Sequence, residues 1–236
     1  MSKVVGVLGG MGPQATVDFF NKVVNMSSAK SDQEHIHLII DNNPQLPDRT
    51  SYILGKGKNP LQQLVASALK LQMLGSDFLV MPCNTAHFFY DDIAQMIDIP
   101  LMNMIEAVAE EIKTKYGSGA LSGLLGTIGT YRGGKYASIF KRHNLHLILP
   151  EEKESEIVNQ LIYKIKQGSK DTNLDELVSL ITKMKSEGAA AVILGCTELP
   201  LIMQKLPGGI DYVDTTYVLA RRTVQMAYGI PPLTSS

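Results

Sequence analysis

The chain carries two cysteines, Cys83 and Cys196, and both stand in the same setting. Phe78-Leu79-Val80-Met81 runs into Pro82-Cys83-Asn84-Thr85-Ala86-His87. Ala191-Val192-Ile193-Leu194-Gly195 runs into Cys196-Thr197-Glu198-Leu199-Pro200. Each cysteine is therefore expected where a buried strand ends and a helix begins. In open α/β sheets ligands bind at that end of the strands, and the positive end of a helix favours a thiolate. One buried cysteine is an ordinary small core residue. Two of them, placed alike and flanked by Asn84-Thr85 and Thr197-Glu198, point to a reactive pair.

Three chemistries use two thiols. A metal site needs further ligands at suitable spacing, and neither C-x-x-C nor H-E-x-x-H occurs; His35 and His37 share a strand face without an evident third ligand. A redox pair usually lies close together in sequence, whereas these cysteines are 113 positions apart. The third chemistry is acid/base work on opposite sides of one carbon. Inverting a stereocentre without a cofactor needs one group to remove a proton and another to return one on the opposite face.

The elements that would position such a pair repeat. Val7-Leu8-Gly9-Gly10-Met11-Gly12 and Leu124-Leu125-Gly126-Thr127-Ile128-Gly129 align with an offset of 117 in a chain of 236 residues. Two strand-end glycine turns and two strand-end cysteines, each offset by about half the chain, read as an internal duplication. Two such halves facing each other would bring the cysteines together across a cleft. Strands are expected at 3–9, 35–41, 78–81, 101–103, 121–127, 145–149, 191–195 and 212–214. Helices are expected at 13–28, 60–74, 86–96, 106–116, 134–143, 151–167, 174–187, 197–204 and 215–228. The prolines of the loop 42–50 argue against regular structure there. Asn173 is expected to cap the helix that follows it, and Asp214 to cap the last helix or orient a strand end. Alternating elements and strands apolar on both faces indicate parallel sheets covered on both sides. The domain boundary is expected near 102–119, giving 1–102 plus about 212–236 and 103–211, with the final helix crossing back.

Composition narrows the functional classes. The chain is 44% apolar and 19% charged, with a net charge of −1, ordinary for a globular protein and without the basic patch that nucleic acids require. No apolar run approaches the roughly 20 residues that span a bilayer. The start lacks an export pattern. A cytoplasmic protein with both cysteines as thiols is the expectation.

Gly9-Gly10-Met11-Gly12-Pro13 and the two cysteine stretches resemble the signatures of the cofactor-independent aspartate/glutamate racemase family. Pro47-Asp48-Arg49-Thr50, Gly126-Thr127-Ile128-Gly129-Thr130 and Asp214-Thr215-Thr216 match its pattern too. The likeness covers nearly the whole chain and is greatest to the aspartate branch. The cell-wall glutamate racemases typically have Asp-Ser-Gly in place of Gly10-Met11-Gly12 and His in place of Glu198. The resemblance implies two similar doubly wound α/β domains related by a pseudo-two-fold axis, with the active site between them. It also implies Cys83 and Cys196 as the two bases, no pyridoxal phosphate or other cofactor, and a homodimer. Met11 should line the site, and Asn84, Thr85 and Thr197 should hold the α-carboxylate and amine. Thr127 and Thr130 join them as candidate substrate contacts. Arg49 and one of Lys164 and Lys166 should meet an acidic side chain. Glu198 either accepts from the substrate amine, tunes Cys196 or is simply a first-turn acid. His87 is either a partner behind the site or a packed, capping histidine. Related activities stay open: a maleate isomerase, a hydantoin racemase, a glutamate or broad-specificity racemase, or a non-catalytic amino-acid sensor on the same fold.

Overall fold

The computed structural model describes residues 2–169 and 173–231. The first half runs β1 (Val5–Gly9), α1 (Pro13–Met26), β2 (Leu38–Asn42), α2 (Arg49–Ile53), α3 (Leu61–Met73), β3 (Phe78–Val80), α4 (Tyr90–Ala94) and α5 (Met104–Tyr116). The second runs β4 (Leu121–Leu125), α6 (Ile128–Arg132), α7 (Lys135–Arg142), β5 (His146–Ile148), α8 (Glu152–Lys166), α9 (Asp175–Ser186), β6 (Ala191–Leu194), β7 (Asp211–Asp214) and α10 (Thr215–Tyr228).

Two parallel sheets result, ordered β2-β1-β3 and β5-β4-β6-β7. A parallel bridge from Leu79 to Leu101 continues the first sheet past β3, at the place β7 takes beside β6. The halves therefore correspond strand for strand, as the duplicated sequence implies. Each sheet is buried on both faces. Leu64, Leu71, Met81 and Phe89 cover one side of the first sheet; Phe19, Val23, Leu219 and Val224 cover the other. Ile105, Val108, Tyr136 and Phe140 cover one side of the second, and Val158, Ile162, Leu177 and Met184 the other.

The helices that end the two halves are exchanged. Leu219, Ala220 and Val224 of α10 pack on Val5, Val7 and Phe19 of the first half. Ile105, Val108 and Ile112 of α5 pack on Leu124, Ala191 and Ile193 of the second. Both starts are capped: Asn103 accepts from the N–H groups of Ile105 and Glu106 at 3.0 and 3.1 Å, and Asp214 from that of Tyr217 at 3.0 Å. Arg222 pairs with Glu110 at 2.5 Å and Arg221 with Glu111, tying the two helices together. β7 is hydrogen-bonded to β6, and α10, which follows it, packs on the first half.

Local departures from the periodicity have simple causes. The proline-rich loop ends in a helix, α2, because Asp48 accepts from the Ser51 N–H at 2.7 Å and caps it. Thr127 does the same for α6, accepting from the Thr130 N–H at 3.2 Å. The helix expected over 86–96 is a 3-10 turn, Thr85–Phe89, followed by α4. The one expected over 197–204 is a 3-10 segment, Leu199–Lys205. The strand expected over 35–41 is β2, with a 3-10 turn, Asp32–Glu34, ahead of it. Asn173 accepts from the Asp175 N–H at 2.9 Å. Among the described residues no helix is long and apolar enough to cross a membrane.

Candidate active site

Both cysteines follow the carboxyl ends of equivalent strands, β3 and β6, as free, buried thiols. Cys83 packs with Met11, Leu46 and Met81. Its loop is pinned by His87, which is buried. The Met104 N–H donates to His87 Nε2 at 3.0 Å, so that nitrogen carries no proton. The proton therefore sits on Nδ1, which donates to the Cys83 carbonyl at 2.8 Å. Burial lowers the pKa of His87 from 6.5 to about 4 and keeps the ring neutral. His87 is thus a packed histidine that braces Cys83 against the start of α5. Asn84 reaches into the second half. Its amide nitrogen donates to Thr215 Oγ1 at 3.0 Å, and its oxygen accepts from the Tyr136 hydroxyl at 2.6 Å. Thr215 in turn donates to the Leu194 carbonyl at 3.0 Å, so the ends of β3 and β6 are bridged.

Cys196 has different company. Its thiol donates to Glu198 Oε2 at 2.9 Å, and Thr197 Oγ1 lies 3.5 Å from the same oxygen. Glu198 is only 2% exposed, and a Cβ on Gly12 would lie 3.0 Å from its Oε1. The carboxylate therefore fits against the β1–α1 turn of the opposite half. Burial, followed by the Glu198 carboxylate, pushes the Cys196 thiol well above its ordinary pKa, with Lys166 pulling the other way. This corrects the expectation that a helix start favours the thiolate here. The segment that follows is a 3-10 turn, and desolvation beside a carboxylate outweighs its weak dipole.

Four buried hydroxyls close the interface between the halves. Thr50 donates to Thr127 Oγ1 at 3.2 Å; Thr85 lies 2.9 Å from Thr127 and 3.0 Å from Thr130, which are themselves 3.1 Å apart. Each hydroxyl has one proton, so this knot engages all four. It forms because Gly129 leaves room for α2: a Cβ there would lie 2.7 Å from Thr50 Oγ1 and 2.8 Å from Thr50 Cα. Thr50 ends the Pro47-Asp48-Arg49-Thr50 stretch, but its place in the knot is not legible there, because it depends on the space that Gly129 leaves. No periodic signal marks the partly buried Tyr131, whose hydroxyl accepts from the Gly126 N–H at 2.7 Å, or the buried Tyr136. Burial, with Cys196 nearby, raises the pKa of both phenols.

The cations lie on the other side. Arg49 is buried, and its Nη1 donates to the carbonyls of Leu46 and Pro47 at 3.1 and 2.9 Å. Its Nε is buried without a protein partner. Lys166 stands 5.2 Å above the Tyr163 ring. Burial disfavours its charge, but Cys196, Glu198 and Cys83 together outweigh that and raise its pKa. The Tyr163 hydroxyl donates to Asp48 Oδ2 at 2.8 Å, joining α8 to the Arg49 loop. Arg49, Lys166, Glu198, Asp48, Gly10 and Gly12 line a cavity of ≈ 270 Å³. Gly10 allows the tight turn: φ is +88°, and a Cβ would lie 2.3 Å from the Asn43 carbonyl carbon. Met11 packs beside Cys83 rather than lining this cavity. Lys164 is exposed and is not among the residues lining it. Neither cysteine lines this cavity, nor do Asn84, Thr85, Thr127, Thr130 and Thr197; Glu198, which accepts from the Cys196 thiol, links it to that cysteine. A wider groove of ≈ 370 Å³ between α5 and α10, lined by Glu106, Glu110 and Arg222, holds none of these residues either. Among the described residues no group of three or more His, Cys, Asp or Glu could hold a metal ion.

The arrangement brings two thiols, small hydroxyl and amide groups, two cations and one carboxylate to the junction of two duplicated sheets. It resembles known proteins throughout its length. A broad-specificity amino-acid racemase of Bacillus subtilis is 28% identical over 227 residues, covering 94% of this chain and 96% of that protein. The aspartate racemase of Picrophilus torridus superposes with a TM-score of 0.83 at 28% identity, covering 96% of this chain and 94% of that one. An aspartate racemase homologue from Pyrococcus horikoshii gives 0.74 at 28% identity, covering 97% and 100%. The family model for Asp/Glu/hydantoin racemases matches residues 8–223. Two parallel sheets, a cysteine at the same place in each, and this match over nearly the whole chain lead to one conclusion: the chain belongs to the Asp/Glu/hydantoin racemase family.

Proposed function

We propose that this racemase interconverts L- and D-aspartate by proton transfer between two thiols and Cα, without pyridoxal phosphate. The observation that carries the reading is the equivalence of Cys83 and Cys196, buried thiols at matching strand ends of two facing halves. One cysteine, as thiolate, removes the Cα proton from its own face; the other, as thiol, donates from the opposite face. The two cannot both be thiolates, because like charges at close range oppose each other. Cys196 acts on the L-isomer and Cys83 on the D-isomer. Asn84, Thr85, Thr127, Thr130 and Thr197 offer short polar groups to the α-carboxylate and amine. To do so Thr85, Thr127 and Thr130, three of the four hydroxyls in the threonine knot, must exchange partners when substrate arrives. Arg49 and Lys166 bring positive charge to the cavity, which suits a second carboxylate.

The test is racemisation in D₂O. Product should carry deuterium at Cα while recovered substrate gains little at early times, and Cys83→Ala and Cys196→Ala should each abolish activity. Substantial activity in either variant, or early deuterium in recovered substrate, refutes the two-thiol mechanism. A broader amino-acid range is the second reading, favoured by the likeness to the Bacillus subtilis enzyme. Racemisation of a neutral amino acid as readily as aspartate would establish it.

A further inference from the structure

The two cysteine motifs are equivalent in fold but not in charge. Two residues after Cys83 stands Thr85, whose hydroxyl lies in the neutral threonine knot. Two residues after Cys196 stands Glu198, which accepts directly from the Cys196 thiol. We infer that Glu198 is a positioning residue that holds the proton on Cys196 in the free enzyme, so that Cys196 enters the reaction as the proton donor. The inference rests on the two-thiol reading and adds a fixed resting state to it.

The geometry supports it at each contact. A carboxylate only accepts hydrogen bonds, and a thiol is a far weaker acid than a carboxyl, so the proton in the 2.9 Å contact belongs to sulfur. The Glu198 carboxylate is fixed between Cys196 and the Gly12 turn. Loss of the thiol proton would place a thiolate against a buried carboxylate. The other groups around Cys196 do not reverse this. Lys166 of α8 is the cation and favours the thiolate, but burial and the Glu198 carboxylate outweigh it. Tyr131 of α6 and Tyr136 of α7 stay neutral phenols, and Thr197 is neutral. In the forward step the Cα–H bond breaks and a Cys83 S–H bond forms. The Cys196 S–H bond breaks as its proton goes to the opposite face of Cα. The resulting Cys196 thiolate faces Glu198, which drives its reprotonation while Cys83 gives up its proton to solvent. No proton is gained or lost over the cycle.

The experiment measures one thiol at a time and needs no racemase activity. In Cys83→Ser, thiolate absorbance near 240 nm and the rate of iodoacetamide alkylation report Cys196 against pH. Adding Glu198→Gln should lower the Cys196 midpoint by at least about one pH unit, a roughly tenfold gain in thiolate below the midpoint. In Cys196→Ser the same substitution should move Cys83 much less. Glu198→Ser provides a second variant should glutamine disturb folding, which melting curves report. An unchanged Cys196 midpoint in both variants, or an equal shift at Cys83, overturns the inference. Loss of the two-thiol mechanism in D₂O with a shifted Cys196 midpoint would overturn only the proposed function.

Discussion

His87 makes the stability of this protein depend on pH in a defined window. The ring is 1% exposed, and burial lowers its pKa from 6.5 to about 4. The Met104 N–H occupies Nε2, so a second proton would also break that contact. Above pH 6.5 both folded and unfolded chains carry a neutral ring. As pH falls below 6.5 the unfolded chain takes up a proton that the folded chain refuses until about pH 4. The folded state therefore loses stability across this window, by roughly 1.4 kcal/mol per pH unit and about 3 kcal/mol in all. Below pH 4 both states are protonated and the contribution ends. Urea unfolding of the wild type and His87→Gln at steps from pH 7.5 to 4 isolates the effect, because other groups contribute equally to both. The variant should be less stable at pH 7, having lost two buried hydrogen bonds at about 1–3 kcal/mol for each group left unpaired. The gap between the two proteins should then shrink by about 3 kcal/mol towards pH 4. Parallel stability curves would refute the argument, as would an NMR midpoint for His87 near 6.5.

Arg49→Leu should raise KM for aspartate and lower kcat/KM by about 2–5 kcal/mol, as when one partner of a buried charge pair is removed; unchanged aspartate kinetics would take Arg49 out of the site. Gly129→Ala should force α2 away from α6, because the new methyl meets Thr50. It should cost roughly 1–3 kcal/mol, read as a lower urea midpoint, with a rise in KM as Arg49 shifts. Tyr136→Phe leaves the Asn84 oxygen without its 2.6 Å donor; a loss of about 1–3 kcal/mol in denaturant unfolding is expected, and wild-type stability would show that water replaces the phenol.

Sequence alone determined the repeat, the α/β alternation and the place of both cysteines. These follow from local rules: apolar runs make buried strands, and glycine turns follow them, so two copies of one pattern give two like sheets. The element bounds it missed, at α2 and α6, depend on capping by Asp48 and Thr127 rather than on periodicity. Only the tertiary structure decided what crosses between the halves. Lys166 and Lys164 are alike in sequence and both near the end of α8, yet one lines the cavity and the other faces solvent, because helical rotation separates them by about 200°. Thr50 gains its role from Gly129, a residue 79 positions away that leaves it space. The exchange of α5 and α10 likewise depends on which sheet has an uncovered apolar face. The difference between the two thiols has the same origin: their flanking residues are legible in the chain, but the burial that gives the Glu198 carboxylate its force exists only once the halves close over it.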